Sequence, residues 1–240
     1  MQSLKGKNAL ITGAGKGLGK AMALALAAEG VNLALLARTE EDLKALAQEI
    51  AAIDKDVKVV YQTADVSSYE EVQSAVAKLI GALGTLDVVI NNAGIVDVGS
   101  FTEMPVEKWE KVIRTNVLGA YYVVHETLPA LLANGKGDVV NIASTAGLKG
   151  SANLSAYSAS KAALISLSES LMYEVRKSNI RVLTVNPSTV ATDMILEKKF
   201  TDGNPERVLQ PEDLAELVVS SLKLPQRALI KEVALWSTNP

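Results

Sequence analysis

The chain has 240 residues, 48% of them hydrophobic, a formal net charge of −3 at pH 7 and no cysteine. That is apolar material for one large core with no Pro-, Gly- or Ser-rich linker, so a single domain over 1–240 is expected. Scattered charges of both signs form no basic stripe to track nucleic acid, which is not an expected partner, and the lack of thiols excludes disulfide and thiolate chemistry.

Residues 1–7 carry two lysines and lead into the apolar run 9–12, far too short for a signal peptide or a membrane span. A cytoplasmic protein with no membrane partner is the expectation. The run 8–12 reads as the first strand, and Thr12-Gly13-Ala14-Gly15-Lys16-Gly17-Leu18-Gly19 follows it directly, opening a helix over 18–29. A glycine-rich turn between strand and helix lets backbone amides approach a pyrophosphate, whose charge the positive helix end favours; a plain tight turn is the alternative. The flanking strand and helix supply the context that a dinucleotide-binding loop needs.

Next come a strand at 31–37, a helix at 40–53, a strand at 57–63 ending just before Asp65-Val66, and a helix at 69–83. The strand at 86–90 runs into Asn91-Asn92-Ala93-Gly94, and apolar residues at helical spacing then predict one long helix over 106–133. A strand at 138–143 ends at Ser144, and a helix over 154–177, a strand at 180–185, a helix at 211–222 and a strand at 229–235 follow. Strict alternation, with strands apolar at nearly every position, predicts an α/β fold. This is a doubly wound, Rossmann-like arrangement of seven parallel strands in one sheet with helices on both faces. Ligands of such sheets sit beyond the carboxyl ends of the strands.

The spacing Thr-Gly-x3-Gly-x-Gly at 12–19 resembles the glycine pattern of the short-chain dehydrogenase/reductase family, and later segments follow in that family's order over essentially the whole chain. The resemblance implies a nicotinamide dinucleotide held by the glycine loop, by Asp65 and Val66 on the adenine side, and by the turn Asn92-Ala93-Gly94. Taken alone, Asp65 also reads as a helix N-cap and the Asn-Ala-Gly turn as a turn former. Members selective for NAD place an acid at the end of the second strand, where a carboxylate bonds a ribose 2′-hydroxyl and repels a 2′-phosphate. Here that end reads Leu36-Ala37-Arg38-Thr39; Arg38 is placed for the phosphate and Lys16 is a second cation, which together favour NADP(H). Either is otherwise a solvated surface charge.

Tyr157 and Lys161 stand four residues apart in a helix-forming stretch, hence on one face and one turn apart. A phenol of reference pKa about 10 is a poor base at neutral pH, and a neighbouring cation favours its anion. Lys161, together with oxidised nicotinamide, is therefore expected to draw Tyr157 downward, and in reduction the same phenol donates a proton. The spacing is not decisive, because Tyr173 and Lys177 repeat it sixteen residues later, on roughly the opposite side of the same helix. Ser144 separates the pairs: it ends a strand thirteen residues before Tyr157, whereas the equivalent residue before Tyr173 is Ser160, inside the helix. The resemblance completes a catalytic set with Asn116 as a water-linked proton relay from Lys161 and Ser144 bonding the substrate oxygen. A helix-interior asparagine is otherwise a local kink. His125 reads as packing among apolar residues, and no cluster has metal-ligand spacing.

After the sixth strand, the family usually reads Pro-Gly-x-Val-x-Thr and holds the nicotinamide carboxamide. Here Pro187-Ser188-Thr189-Val190-Ala191-Thr192 puts serine at the glycine position, with a cost if that residue needs positive φ. A short lid at about 193–210 follows. The segments expected to face substrate, among them Ile95, Val96 and 194–204, are mostly small or apolar, with Lys149 and the pair Lys198-Lys199 as handles for an anion.

The general resemblance is to 3-oxoacyl-acyl-carrier-protein reductases of fatty acid metabolism, and implies a carrier-linked carbonyl substrate and a homotetramer or homodimer. The Ser-Thr-Asn-Pro ending instead resembles reductases of 3-hydroxy acids, serine or small dicarbonyls. A non-catalytic nucleotide-binding regulator is the third reading, and a broken catalytic set would be its mark.

Overall fold

The computed structural model describes residues 1–198 and 200–238. Its strands are β1 (Asn8–Thr12), β2 (Asn32–Ala37), β3 (Val59–Thr63), β4 (Val88–Asn91), β5 (Gly137–Ile142), β6 (Ile180–Pro187) and β7 (Glu232–Leu235). They form one sheet in the order β3-β2-β1-β4-β5-β6-β7, with every neighbouring pair parallel. The chain order reverses between β1 and β4, opening a crevice at the carboxyl edge beside the glycine loop.

The helices are α1 (Gly17–Ala28), α2 (Glu40–Ile53), α3 (Tyr69–Leu83), α4 (Val106–Ile113), α5 (Gly119–Ala133), α6 (Ser155–Val175), α7 (Asp193–Glu197) and α8 (Pro211–Leu222). Strand side chains alternate between two cores, as the pleat requires. Leu33 and Leu35 pack with Met22, Leu26, Leu46 and Val218 of α1, α2 and α8. Ala34 and Leu36 point the other way, to a core shared with Val76, Val123 and Met172 of α3, α5 and α6. Buried on both faces, the inner strands could be read from sequence as nearly continuous apolar runs.

Three expectations need correction. The single helix 106–133 is interrupted by a π-helical turn at Arg114–Leu118, which joins α4 to α5. Asn116 sits inside it, its amide bonded outside the helix, and such wide turns arise where the regular bonding ladder is disturbed. The last strand starts at Glu232 rather than at 229, because the Arg181 guanidinium draws in the preceding turn, donating to the carbonyls of Leu222, Leu224, Pro225 and Ala228. His125 is exposed on α5, beside the Tyr121 ring at 5.8 Å, and not in an apolar core.

Arg181 also pairs with Asp138 at 2.5 Å, both side chains less than a tenth exposed. The pair ties β5 and β6 to the turn after α8. Among the described residues, no helix is long and apolar enough to cross a membrane.

Candidate active site

A cleft of about 510 Å³ runs along the carboxyl edge, and every site residue expected from the sequence lines it except Gly19 and Asn116. Gly19 stands behind the loop: a Cβ there would lie 2.2 Å from the Gly13 carbonyl oxygen, so only glycine lets α1 start this close to the turn. Gly13 itself takes φ of 63°, a backbone that other residues resist. The glycine loop is locked from the β4 side, because Asn92 Nδ2 donates to the carbonyls of Thr12 (3.0 Å) and Gly13 (3.1 Å). Thr12 Oγ1 in turn accepts from the backbone N–H groups of Asn92 and Ala93. The Asn92-Ala93-Gly94 turn thus braces the loop as well as lining the cleft.

At the far end, Arg38 follows β2 as an exposed cation, and Thr39 caps the start of α2 without a side-chain bond. Lys16 is not free. Its Nζ lies 3.4 Å from Asp42, a carboxylate in the first turn of α2 that lines the same cleft and that no sequence spacing singled out. Asp65 is not an N-cap; Ser68 fills that role for α3, accepting from the Glu71 N–H. Burial alone would raise the Asp65 carboxyl, but bonds from the Ser67 backbone and hydroxyl, with Arg38 nearby, hold it below its ordinary value. Val66 is buried beside it.

Tyr157 and Lys161 both face this cleft from the first turns of α6, with Ser144 opposite at the end of β5. Lys161 is 5% exposed, and its Nζ donates to the Ile142 carbonyl at 2.7 Å, 5.7 Å from the centre of the Tyr157 ring. Burial brings Lys161 down to about 8. Burial pushes the Tyr157 phenol above its ordinary value, and its bond with the Ser144 hydroxyl only partly offsets this. Dehydration of the phenol dominates in this arrangement, and the ammonium is directed at a backbone carbonyl.

Asn116 is 1% exposed and lies one layer deeper. Its Oδ1 accepts from the Ile95 N–H (2.8 Å), and its Nδ2 donates to the Ile95 carbonyl (2.9 Å) and to Ser160 Oγ (3.0 Å). A Cβ on Gly94 would sit 3.2 Å from Asn116 Oδ1 and 3.6 Å from Lys161 Nζ, so both groups pack close against this glycine. Ser160, read from sequence only as helix interior, closes the network by donating to the Tyr157 carbonyl at 2.7 Å. Tyr173 is 57% exposed beneath Arg176, and Lys177 lies in a separate turn beyond α6; neither reaches the cleft.

Ser188 is not in the left-handed region, so it carries no strain of that kind; its N–H donates to the Leu235 carbonyl at 2.8 Å and prolongs the β6–β7 pairing. Pro187, Val190 and Thr192 follow along the cleft wall. A bridge between Val190 and Leu209 closes the base of the lid, which contains α7. Lys198, expected as an anion handle, pairs instead with Asp97 at 3.7 Å, across from the lid; Lys199 lies outside the described residues. Asp97 also holds Lys108 at 4.0 Å. The rim also includes the loop after β4, whose Gly99 N–H bonds the Asn153 carbonyl at 3.0 Å.

Residues 7–202 match the family described as short chain dehydrogenase. An uncharacterized oxidoreductase of Staphylococcus saprophyticus is 34% identical over 235 residues, covering 98% of this chain and 99% of its own. Among solved structures, an alcohol dehydrogenase from the archaeon Thermococcus sibiricus, complexed with 5-hydroxy-NADP, superposes with a TM-score of 0.90 at 30% identity, covering 98% of this chain and 97% of that one. The L-sorbose reductase of Gluconobacter frateurii, complexed with NADPH and L-sorbose, gives 0.89 at 27% identity, with 98% of each chain covered.

Proposed function

The chain belongs to the short-chain dehydrogenase/reductase family of oxidoreductases, and from that premise we propose that it reduces a ketone to a secondary alcohol with NADPH, a 3-oxoacyl thioester being the preferred substrate. The observation that carries this reading is the convergence of Ser144, Tyr157 and Lys161 in one cleft, with Asn116 behind them. The intact set also argues against a non-catalytic regulator.

The residues present suit a nicotinamide dinucleotide. Glycines at 13, 15 and 17 leave backbone exposed where a pyrophosphate would lie, at the start of α1, and Arg38 offers a fork of donors for a 2′-phosphate. When bound, the cofactor supplies the hydride. Ser144 Oγ is placed to donate a hydrogen bond to the substrate oxygen, and the Tyr157 hydroxyl to donate the proton. A phenol held above its ordinary pKa is protonated throughout the neutral range, as a proton donor in reduction must be. Lys161, near neutrality in its own titration, is suited to return a proton to the phenol, and Asn116 keeps Ile95 and the Gly94 backbone in place beside it.

Substrate preference follows from the rim. Met194 and Ile195 of the lid line the cleft, beside Asp193, Glu197 and Lys198. Lys198 is engaged by Asp97, and the other charged lid residues along the cleft, Asp193 and Glu197, are exposed acids that repel a free carboxylate, which favours an acyl thioester over a free keto acid. The second reading, a small free carbonyl compound, is favoured by the same ion pairs, since Asp97 occupies two cations that an acidic carrier would seek. Assembly as a homotetramer or homodimer through α6 and β7 belongs to the proposal, supported by exposed Tyr173 on α6 and exposed Trp236 after the edge strand β7; so does a cytoplasmic setting. The deciding experiment follows NADPH absorbance with acetoacetyl thioesters, free acetoacetate and small dicarbonyls. Turnover of the thioesters at least about tenfold above the free compounds, in transition-state terms more than 1.4 kcal/mol, is expected; equal or inverse preference overturns the thioester assignment.

A further inference from the structure

We propose that Asp42 sets the strength of the cofactor preference, by holding Lys16 in an ion pair that a 2′-phosphate has to displace. The proposal rests on the NADPH reading and adds a determinant to it. Asp42 is in the first turn of α2, with its side chain a quarter exposed in the wall of the cleft, and it meets the two-thirds exposed Lys16 at 3.4 Å. The glycine loop also packs closely against this turn, since a Cβ on Gly15 would come within 2.9 Å of Asp42 Cβ. Of the other acids in that turn, Glu40 is engaged with Lys44 at 2.9 Å.

The charges at this end of the cleft nearly cancel. Lys16 is matched by Asp42, and Arg38, with no ion pair among the described residues, lies close enough to Asp65 to help keep that carboxyl ionised. A 2′-phosphate brings about two negative charges into this balanced field. Arg38 is available to it at once. Lys16 is available only after leaving Asp42, and the carboxylate then left behind repels the newcomer. A ribose 2′-hydroxyl faces no such penalty, since a carboxylate accepts its hydrogen bond. The arrangement thus moderates a preference that Arg38 and Lys16 would otherwise make steep.

The test uses binding rather than turnover. Dissociation constants for 2′,5′-ADP and 5′-AMP, which lack nicotinamide, are measured by calorimetry on the full chain, and those for NADPH and NADH by nucleotide fluorescence. Asp42→Asn keeps the size of the side chain against Gly15, and Asp42→Ser serves as a second variant should the first fold poorly. In either, the preference for 2′,5′-ADP over 5′-AMP, and for NADPH over NADH, is expected to rise about five- to tenfold, the effect of one charge at contact range under near-aqueous screening. A preference that falls, or changes by less than about twofold, overturns the role of Asp42. If the wild-type protein itself shows no preference for the phosphorylated ligands, the NADPH reading fails instead, while a preference created by Asp42→Asn still supports the inference.

Discussion

Replacing Lys161 with methionine should change how stability depends on pH in a direction the burial of that side chain dictates. Folded, Lys161 titrates at about 8 rather than 10.5, because desolvation disfavours its charge. Between those values the unfolded chain binds more protons than the folded one, so stability rises with pH. At 1.36 kcal/mol per pH unit, the whole shift is worth about 3 kcal/mol, and roughly 2 kcal/mol of it develops between pH 7.5 and 9.5. Urea unfolding followed by circular dichroism at four pH values across that window gives the free energy for wild type and Lys161→Met. Groups that titrate in both proteins cancel in the difference. The wild type should gain on the variant by about 2 kcal/mol as pH rises. A difference that stays flat to within about 0.5 kcal/mol, or that shrinks, would refute the claim that this ammonium is buried at an energetic cost.

Arg38→Asp should raise the KM for NADPH by at least about tenfold while moving that for NADH far less, since only the phosphate loses a cation and meets an anion; equal changes in steady-state assays would count against the NADP assignment. Asp138→Asn leaves the Arg181 guanidinium buried without its counter-charge and should cost about 3 kcal/mol in denaturant unfolding, the four carbonyls around it limiting the loss; a cost below about 1 kcal/mol would show the pair to be dispensable. Asn116→Ala strips the partners from the Ile95 N–H and carbonyl and should cost about 2–4 kcal/mol, together with a lower kcat; an unaltered protein by both measures would leave Asn116 as a bystander.

The sheet, its parallel pairing and the glycine loop were legible because they depend on local patterns. Runs such as Leu33 to Leu36 are apolar on both faces of the strand, and Gly13 to Gly19 sit between a strand and a helix whatever the rest of the chain does. What escaped depends on partners distant in sequence. The π turn at Arg114–Leu118 answers to the bonds between Asn116 and Ile95, and nothing in the periodicity of 106–133 encodes them. The short helix α7 is held by a lid whose ends meet through Val190 and Leu209. Charge effects misled in a consistent way: the sequence shows that Lys161 is near Tyr157, and that Lys16 is in the glycine loop, but not that the first is dehydrated against the Ile142 carbonyl or that the second is already paired with Asp42. The serine at 188 needed the fold as well, since only its extended pairing to Leu235 shows that glycine was not required there.

The most direct test of the proposed chemistry sets Tyr157→Phe beside Tyr173→Phe, two removals of one hydroxyl from the same helix, one inside the cleft and one on the outer surface. Turnover and NADPH affinity are measured for both. Tyr157→Phe is expected to lower kcat by at least about a thousandfold, within the range of general acid catalysis, while NADPH still binds, and Tyr173→Phe to leave kcat near the wild-type value. Turnover that survives loss of the Tyr157 hydroxyl, or that disappears with Tyr173, would contradict the assignment of the proton donor.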